Sequence, residues 1–225
     1  MTFAEKAIKY FFNLIKPTTL PSSIEVMNPY VSKEIKRVIS HFYKKFYADE
    51  NKRIFIVGIN PGRFGGGVTG IAFTDPINLE QHCGIKNDFY KRPELSSRFV
   101  YSVLEAYGGV HKFYSKYFLT ALYPLALFRD GKNYNYYDSP EIYRSLKKDI
   151  VCSLQSQIEF GADNKVVFCL GKKNEYYLKE INSEINFFRK IITLEHPRYI
   201  MQYKLKSVNS YIKKYLDSFA NVESF

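Results

Sequence analysis

Four short apolar runs constrain this chain more than any other feature of it. RIFIVGI (Arg53–Ile59), YFLTAL (Tyr117–Leu122), KVVFCL (Lys165–Leu170) and KIITL (Lys190–Leu194) are too brief and too continuous to be amphipathic helices. Such runs mark strands buried on both faces. Stretches of helical periodicity separate them: Ser96–Tyr107, which stops at Gly108-Gly109, Pro140–Phe160, with Gly161 as its C-cap, and about Asn174–Ile185. Two helices, Ala4–Ile15 and Ser32–Tyr47, precede the first strand. A loop with three prolines joins them over Lys16–Tyr30, and a helix over Val208–Ser218 closes the pattern. Strands alternating with helices imply right-handed crossovers and a parallel sheet covered on both sides. The expected fold is α/β: a three-layer α/β/α sandwich around a central four-stranded parallel sheet. A chain of 225 residues fits one domain over residues 1–225, with a helical part at residues 1–50 packed on it.

Ligands of such sheets sit beyond the carboxyl ends of the strands. That rule selects Gly58–Gly70, Tyr123–Phe128, Leu170–Lys173 and Glu195–Tyr199 as the segments to search. The first is glycine-rich, NPGRFGGGVTG, which raises the question of nucleotide phosphates. Its glycines lack dinucleotide spacing, and no Gly-Lys-Ser/Thr follows, so a nucleotide cofactor is disfavoured. What the loop offers instead is a carboxamide, Asn60, set at a strand end before Pro61 and among residues that let backbone approach a ligand. An Asn that merely satisfies a turn competes with that reading.

Composition narrows the partners. With 33 Lys and Arg against 22 Asp and Glu, the net charge is +11, which favours phosphate-rich partners through counterion release, although a solvated lysine surface gives the same number. Cys83, Cys152 and Cys169 stand far apart with no CxxC pair, and the four histidines lack ligand spacing, so neither a metal nor another cofactor is expected. No run is long and apolar enough to span a membrane. The first residues form an amphipathic pattern broken by Glu5, Lys6 and Lys9, unlike a signal peptide, so a cytoplasmic location is expected.

The segment GINPGRFGGGVTGIAF (Gly58–Phe73) resembles the first motif of the single-strand-selective monofunctional uracil-DNA glycosylases, which runs close to GMNPGPFGxxxTGxPF. LEHPRYI (Leu194–Ile200) stands where that family has its second motif, HPSPRN. ELSSRFVYSVLEAYGG (Glu94–Gly109) and YFLTALYPLALF (Tyr117–Phe128) match its middle region in order and spacing. The resemblance covers nearly the whole chain and is strongest to a bacterial branch marked by GINPGR, TGIAFTDP, ELSS, NYNYYD and HPR.

The resemblance implies a monomeric DNA glycosylase that excises uracil and other deaminated bases by hydrolysis. Asn60 aligns with the family's water-positioning Asn, and His196 with the catalytic His that donates to the leaving base. A structural hydrogen bond is the competing account of a lone His after a strand. Phe73 aligns with the aromatic that stacks on the flipped base; the competing account is a core Phe. Gly58 and Ile59 open the motif, and Gly62, Arg63 and Phe64 are expected to wall the site near C5 and the sugar, Arg63 replacing the usual Pro. The family's pyrimidine-reading Asn aligns with Ala121, which cannot read a base edge; Asn133 and Asn135 are the nearby candidates to replace it. Xanthine and hypoxanthine therefore stand beside uracil as expected substrates. Arg198, Tyr199, Ile200, Met201 and Lys204, with Lys206, are expected to meet DNA, a solvated basic loop being the alternative. No lysine replaces Asn60, so lyase chemistry is not expected. A catalytically silent DNA-binding relative is the remaining reading.

Overall fold

The computed structural model describes residues 1–223. Helix α1 (Phe3–Phe12) starts on a capping box, in which the Thr2 hydroxyl accepts from the Glu5 amide and the Glu5 carboxylate accepts from the Thr2 amide. It ends three residues before the predicted limit, where Asn13 caps it. Strand β1 (Glu25–Met27) and helix α2 (Lys33–Phe46) follow, then β2 (Arg53–Gly58), the short helices α3 (Gly66–Thr69) and α4 (Pro76–Gln81), α5 (Leu95–Tyr107) and α6 (Val110–Tyr114). Strands β3 (Tyr117–Ala121), β4 (Ala126–Arg129) and β5 (Lys132–Tyr134) precede α7 (Pro140–Ile158). The chain continues through β6 (Ala162–Leu170), α8 (Lys172–Ile185), β7 (Lys190–Leu194), α9 (Pro197–Tyr203) and α10 (Val208–Glu223).

The four predicted strands form one parallel sheet in the order β3-β2-β6-β7. Successive residues of a strand point to opposite faces, and the aromatic contacts show what covers each. Phe118 of β3 packs edge-on to Phe3 of α1, while its neighbour Tyr117 lies 4.7 Å from Phe219 of α10, centroid to centroid. Helices α1 and α10 therefore lie on opposite faces of the sheet. Around them α2 and α7 extend the α1 side, and α5 and α9 the α10 side. The three-layer α/β/α sandwich is present.

A second sheet was not foreseen. β1, β4 and β5 form a small antiparallel sheet in the order β1-β4-β5, so the segment read as a loop over residues 16–30 contains a strand. At three or four residues each, these strands are too short to show a period of two. Their effect is to hang a hairpin over the carboxyl end of β2, beside the loop that follows it.

At the amino end of β2 the sheet is closed. Arg53 is fully buried, its guanidinium bonded in a fork to the Asp49 carboxylate at 3.0 and 2.8 Å and to the carbonyls of Tyr114 and Asn51. The Phe3 and Tyr47 rings flank it, with the guanidinium carbon 5.8 and 5.4 Å from their centroids. Four of its five N–H groups find acceptors and aromatic rings flank its plane, which offsets much of the cost of burying the cation.

Candidate active site

The carboxyl ends of β2, β3 and β7 bring the predicted residues together. Gly58, the last residue of β2, pairs with Ala121, the last of β3. Beyond it the two chains stay zipped, because Leu122 and Tyr123 donate to the carbonyls of Gly58 and Ile59. A Cβ on Gly58 would stand 2.4 Å from Phe73 Cζ. Only glycine lets that ring approach the strand end so closely. Phe73 adopts a left-handed backbone, φ 55°, rare for a bulky residue. Its flanks hold it there: the Thr69 hydroxyl donates to the Thr74 carbonyl at 2.7 Å, and buried Asp75 caps α4 while also accepting from the Glu94 amide. The TGIAFTDP stretch is thus a clamp that fixes one aromatic ring, consistent with strain kept at working sites.

Asn60 has its carboxamide fixed by the hairpin. Its Nδ2 donates to the Tyr134 carbonyl at 3.0 Å, and its Oδ1 accepts from the Tyr136 amide at 3.3 Å. The two bonds set the orientation of the amide chemically, and one N–H and one lone pair stay free. Tyr136 is itself tied to the end of β2. The Tyr136 hydroxyl donates to Asn174 Oδ1 at 2.7 Å, and buried Asn174 donates to the carbonyls of Val57 and Gly58. Tyr136 and Asn174 were not singled out from the sequence, although Tyr136 lies in the NYNYYD mark.

His196 sits on a helix start. It is the N-cap of α9, with Pro197 at the first helical position, and its Nδ1 accepts from the Arg198 amide at 3.1 Å. An accepting Nδ1 leaves the proton on Nε2 of the neutral ring. Desolvation, with the Arg198 cation second, lowers the pKa to about 4, so the ring is neutral at ordinary pH. Its centroid lies 6.0 Å from that of Phe73. Gly171, whose amide donates to the Leu194 carbonyl, backs the imidazole; a Cβ there would stand 3.5 Å from His196 Cβ.

The glycine-rich loop is a packed wall. A Cβ at Gly67 would meet the Gly62 carbonyl oxygen at 2.6 Å and Met27 Cε at 2.8 Å, and Gly65, Gly66 and Gly67 are buried. Arg63 donates its amide to Asn133 Oδ1 and its guanidinium to the Gly131 carbonyl, which fastens the loop to the β4–β5 hairpin. Phe64 lies half-buried beside it. The Asn133 carboxamide is thereby engaged with the loop. Asn135 donates to the Asp138 carboxylate at 3.1 Å, closing its own turn. Neither amide is held toward Phe73 by these bonds.

On the outer side, Arg198, Tyr199 and Lys204 are exposed. Ile200 and Met201 are not: Ile200 is fully buried and Met201 nearly so, which corrects their expected contact with DNA. The segment is a helix, so residues that read as a linear apolar loop turn alternately inward and outward. Tyr199 and Tyr203, one turn apart with centroids 5.5 Å from each other, and Leu205 are the exposed apolar groups instead. Helical spacing in PRYIMQYKL was the signal available for them. A separate cavity of about 420 Å³, lined by Tyr10, Tyr123, Lys148 and Cys152 among others, contains none of these residues.

At the carboxyl end of the sheet a glycine-backed aromatic ring, a backbone-oriented Asn and a neutral His stand together, the two polar side chains with hydrogen-bonding capacity left open. The family model of the uracil DNA glycosylase superfamily matches residues 45–220, and the chain belongs to that superfamily. Its structure is similar to the crystal structure of wild-type SMUG2 from Pedobacter heparinus, with a TM-score of 0.96 and 39% identity over 100% of both chains. No curated protein matches the chain. DNA glycosylase chemistry is the class in which the site is to be read.

Proposed function

We propose that this chain is a monofunctional glycosylase that takes a deaminated nucleotide out of the DNA stack and hydrolyses its N-glycosidic bond. The observation that carries the reading is the His196 tautomer: a neutral ring with Nδ1 occupied by the Arg198 amide must present Nε2–H, a donor to the oxygen of a departing base. Phe73 stacks on the extruded base, since extrusion is what exposes the bond to attack. Asn60 holds the attacking water with its free N–H and lone pair, an effect of placement more than of basicity. No amine stands at that position, so the product is an abasic site with the strand intact. The exposed Tyr199, Tyr203 and Leu205 supply apolar surface to fill the gap left in the stack, and Arg198 and Lys204 contact phosphates.

Uracil is one expected substrate, and deaminated purines are the second reading. Two observations favour the latter: Ala121 stands where the family reads pyrimidines, and the Asn133 and Asn135 amides are engaged in local hydrogen bonds. Discrimination against uracil analogues needs a buried polar partner for the base edge. Base release from single-stranded and duplex oligonucleotides carrying uracil, xanthine or hypoxanthine tests both readings. Release from at least one of them supports the glycosylase, and their ranking decides the substrate class. Binding without release from any of them would leave a silent DNA-binding relative.

A further inference from the structure

We propose that Arg63 and Arg92, stacked on the Phe64 ring, form a clamp for one backbone phosphodiester of the DNA strand that carries the extruded nucleotide. The inference rests on the glycosylase reading above and adds a subsite to it. Arg92 has its guanidinium carbon 3.7 Å from the Phe64 centroid, and Arg63 has its own 4.7 Å away. Two cations that share one ring lie within the sum of those distances of each other. Among the described residues neither forms an ion pair with a carboxylate, and the neighbouring acids are otherwise engaged. The Glu94 carboxylate accepts from the Ser97 amide, Asp75 caps α4, and Glu80 pairs with Lys91. Contact with an aromatic face orders the two heads without neutralising them.

The arrangement is preorganised for an oxyanion. Arg63 is tied at both ends to the β4–β5 hairpin, through its amide to Asn133 and its guanidinium to Gly131, and most of its five donors remain free. Arg92 makes no recorded contact except with the ring, and both side chains are exposed. A guanidinium carbon stands roughly 4 Å from the phosphorus it binds, so each fork can offer donors to a non-bridging oxygen of a phosphate set against the Phe64 ring. A planar fork suits both the stack and the phosphate, which an ammonium does not. Arg63 follows Asn60 by three residues, and the two are held by the same hairpin. The clamp therefore grips the substrate strand close to the reacting nucleotide.

The test is a double-mutant cycle between protein and DNA. Affinity is measured for single-stranded oligonucleotides with a non-hydrolysable 2′-fluoroarabino analogue of the excised nucleotide, in which successive phosphates near it are replaced by neutral methylphosphonates. Wild type is expected to lose about tenfold at one phosphate position. Arg92→Gln and the Arg63→Gln/Arg92→Gln pair are expected to lose less than about twofold there, while keeping the wild-type penalty at the other positions. The slope of log affinity against log salt should fall by about 0.7 for each arginine removed. Because Arg92 is exposed and bonds to nothing else, its single variant reports even if the double variant is unstable. Undiminished methylphosphonate penalties at every position, or variants that bind with wild-type affinity and slope, overturn the clamp. Base release by wild type from cleavable strands is read in parallel. Release with undiminished penalties sinks the clamp alone, whereas a position-specific cycle without release sinks the glycosylase reading alone.

Discussion

The two ends of the central sheet are built from opposite materials. At the amino end large side chains pack together: Phe3 contacts the rings of Tyr47, Phe118 and Phe160, Phe55 contacts Phe118, and the buried cation Arg53 makes four hydrogen bonds. At the carboxyl end the backbone is bare. Gly58 and Gly171 back the two rings, Phe73 is held at positive φ, and the polar groups of Asn60 and His196 are oriented by main chain while part of their hydrogen-bonding capacity stays open. One end spends its contacts on stability; the other keeps them unspent for a ligand. Substitutions at the two ends should separate accordingly.

The largest effect is expected at the carboxyl end. Asn60→Ala should lower single-turnover base release by roughly 10²–10³, the size seen when one oriented polar group is removed from a catalytic site. Asn60→Asp is informative beside it. A carboxylate would still accept from the Tyr136 amide but would face the Tyr134 carbonyl with no proton to give, so the hairpin bond is lost and release should fall rather than rise. A faster Asp variant would show that the hairpin does not set the orientation of this side chain.

Next in size is the amino end. Asp49→Ala leaves the buried guanidinium of Arg53 without its carboxylate. The full loss of a buried partner costs about 3–5 kcal/mol, but Asp49 is partly exposed and two backbone acceptors remain, so about 2 kcal/mol is expected from chemical denaturation. The hydrogen bonds from Arg53 hold the Asp49 carboxyl below its ordinary range. A lowered carboxyl pKa contributes stability above the unfolded value and loses it as pH falls through the folded one. Wild type should therefore lose stability on acidification more steeply than the Ala variant.

A smaller and more local effect is the pH dependence of release. With a pKa of about 4 against an ordinary 6.5, His196 stays neutral in the fold while the unfolded chain takes up a proton across that interval. Folding stability from this residue is intact above 6.5 and is lost as pH falls toward 4. Protonation would also set Nδ1–H against the Arg198 amide. Release should be flat through 6.5 and decline only as pH approaches 4; an inflection near 6.5 would contradict a neutral donor.

What could be read from the sequence follows the same division. The parallel sheet was legible because Phe55, Phe118 and Phe168 lie in apolar runs whose burial needs no information from elsewhere in the chain. Asn60, Phe73 and His196 were singled out through motif order, and the structure places Asn60 beyond β2 and His196 beyond β7, on either side of β6, with the Phe73 ring 6.0 Å from the imidazole. The antiparallel hairpin was not, because three-residue strands carry no period. Tyr136 and Asn174 were missed since their role arises from a contact 38 residues apart in the chain. Ile200 and Met201 were misplaced because a seven-residue helix begins at Pro197, directly after its N-cap His196, and its inward face cannot be told from a loop without knowing what it packs on.

The most direct measurement pairs two variants and two readouts: base release and thermal unfolding midpoint for His196→Ala and Asp49→Ala. The expected result is a crossing. His196→Ala should lose most of its release rate and lower the midpoint only by the loss of the α9 N-cap, about 1 kcal/mol, while Asp49→Ala should melt lower than that yet release base at the wild-type rate where it is folded. If rate and midpoint fell together in both variants, the two ends of the sheet would not be separate devices, and the assignment of chemistry to the carboxyl end would fail.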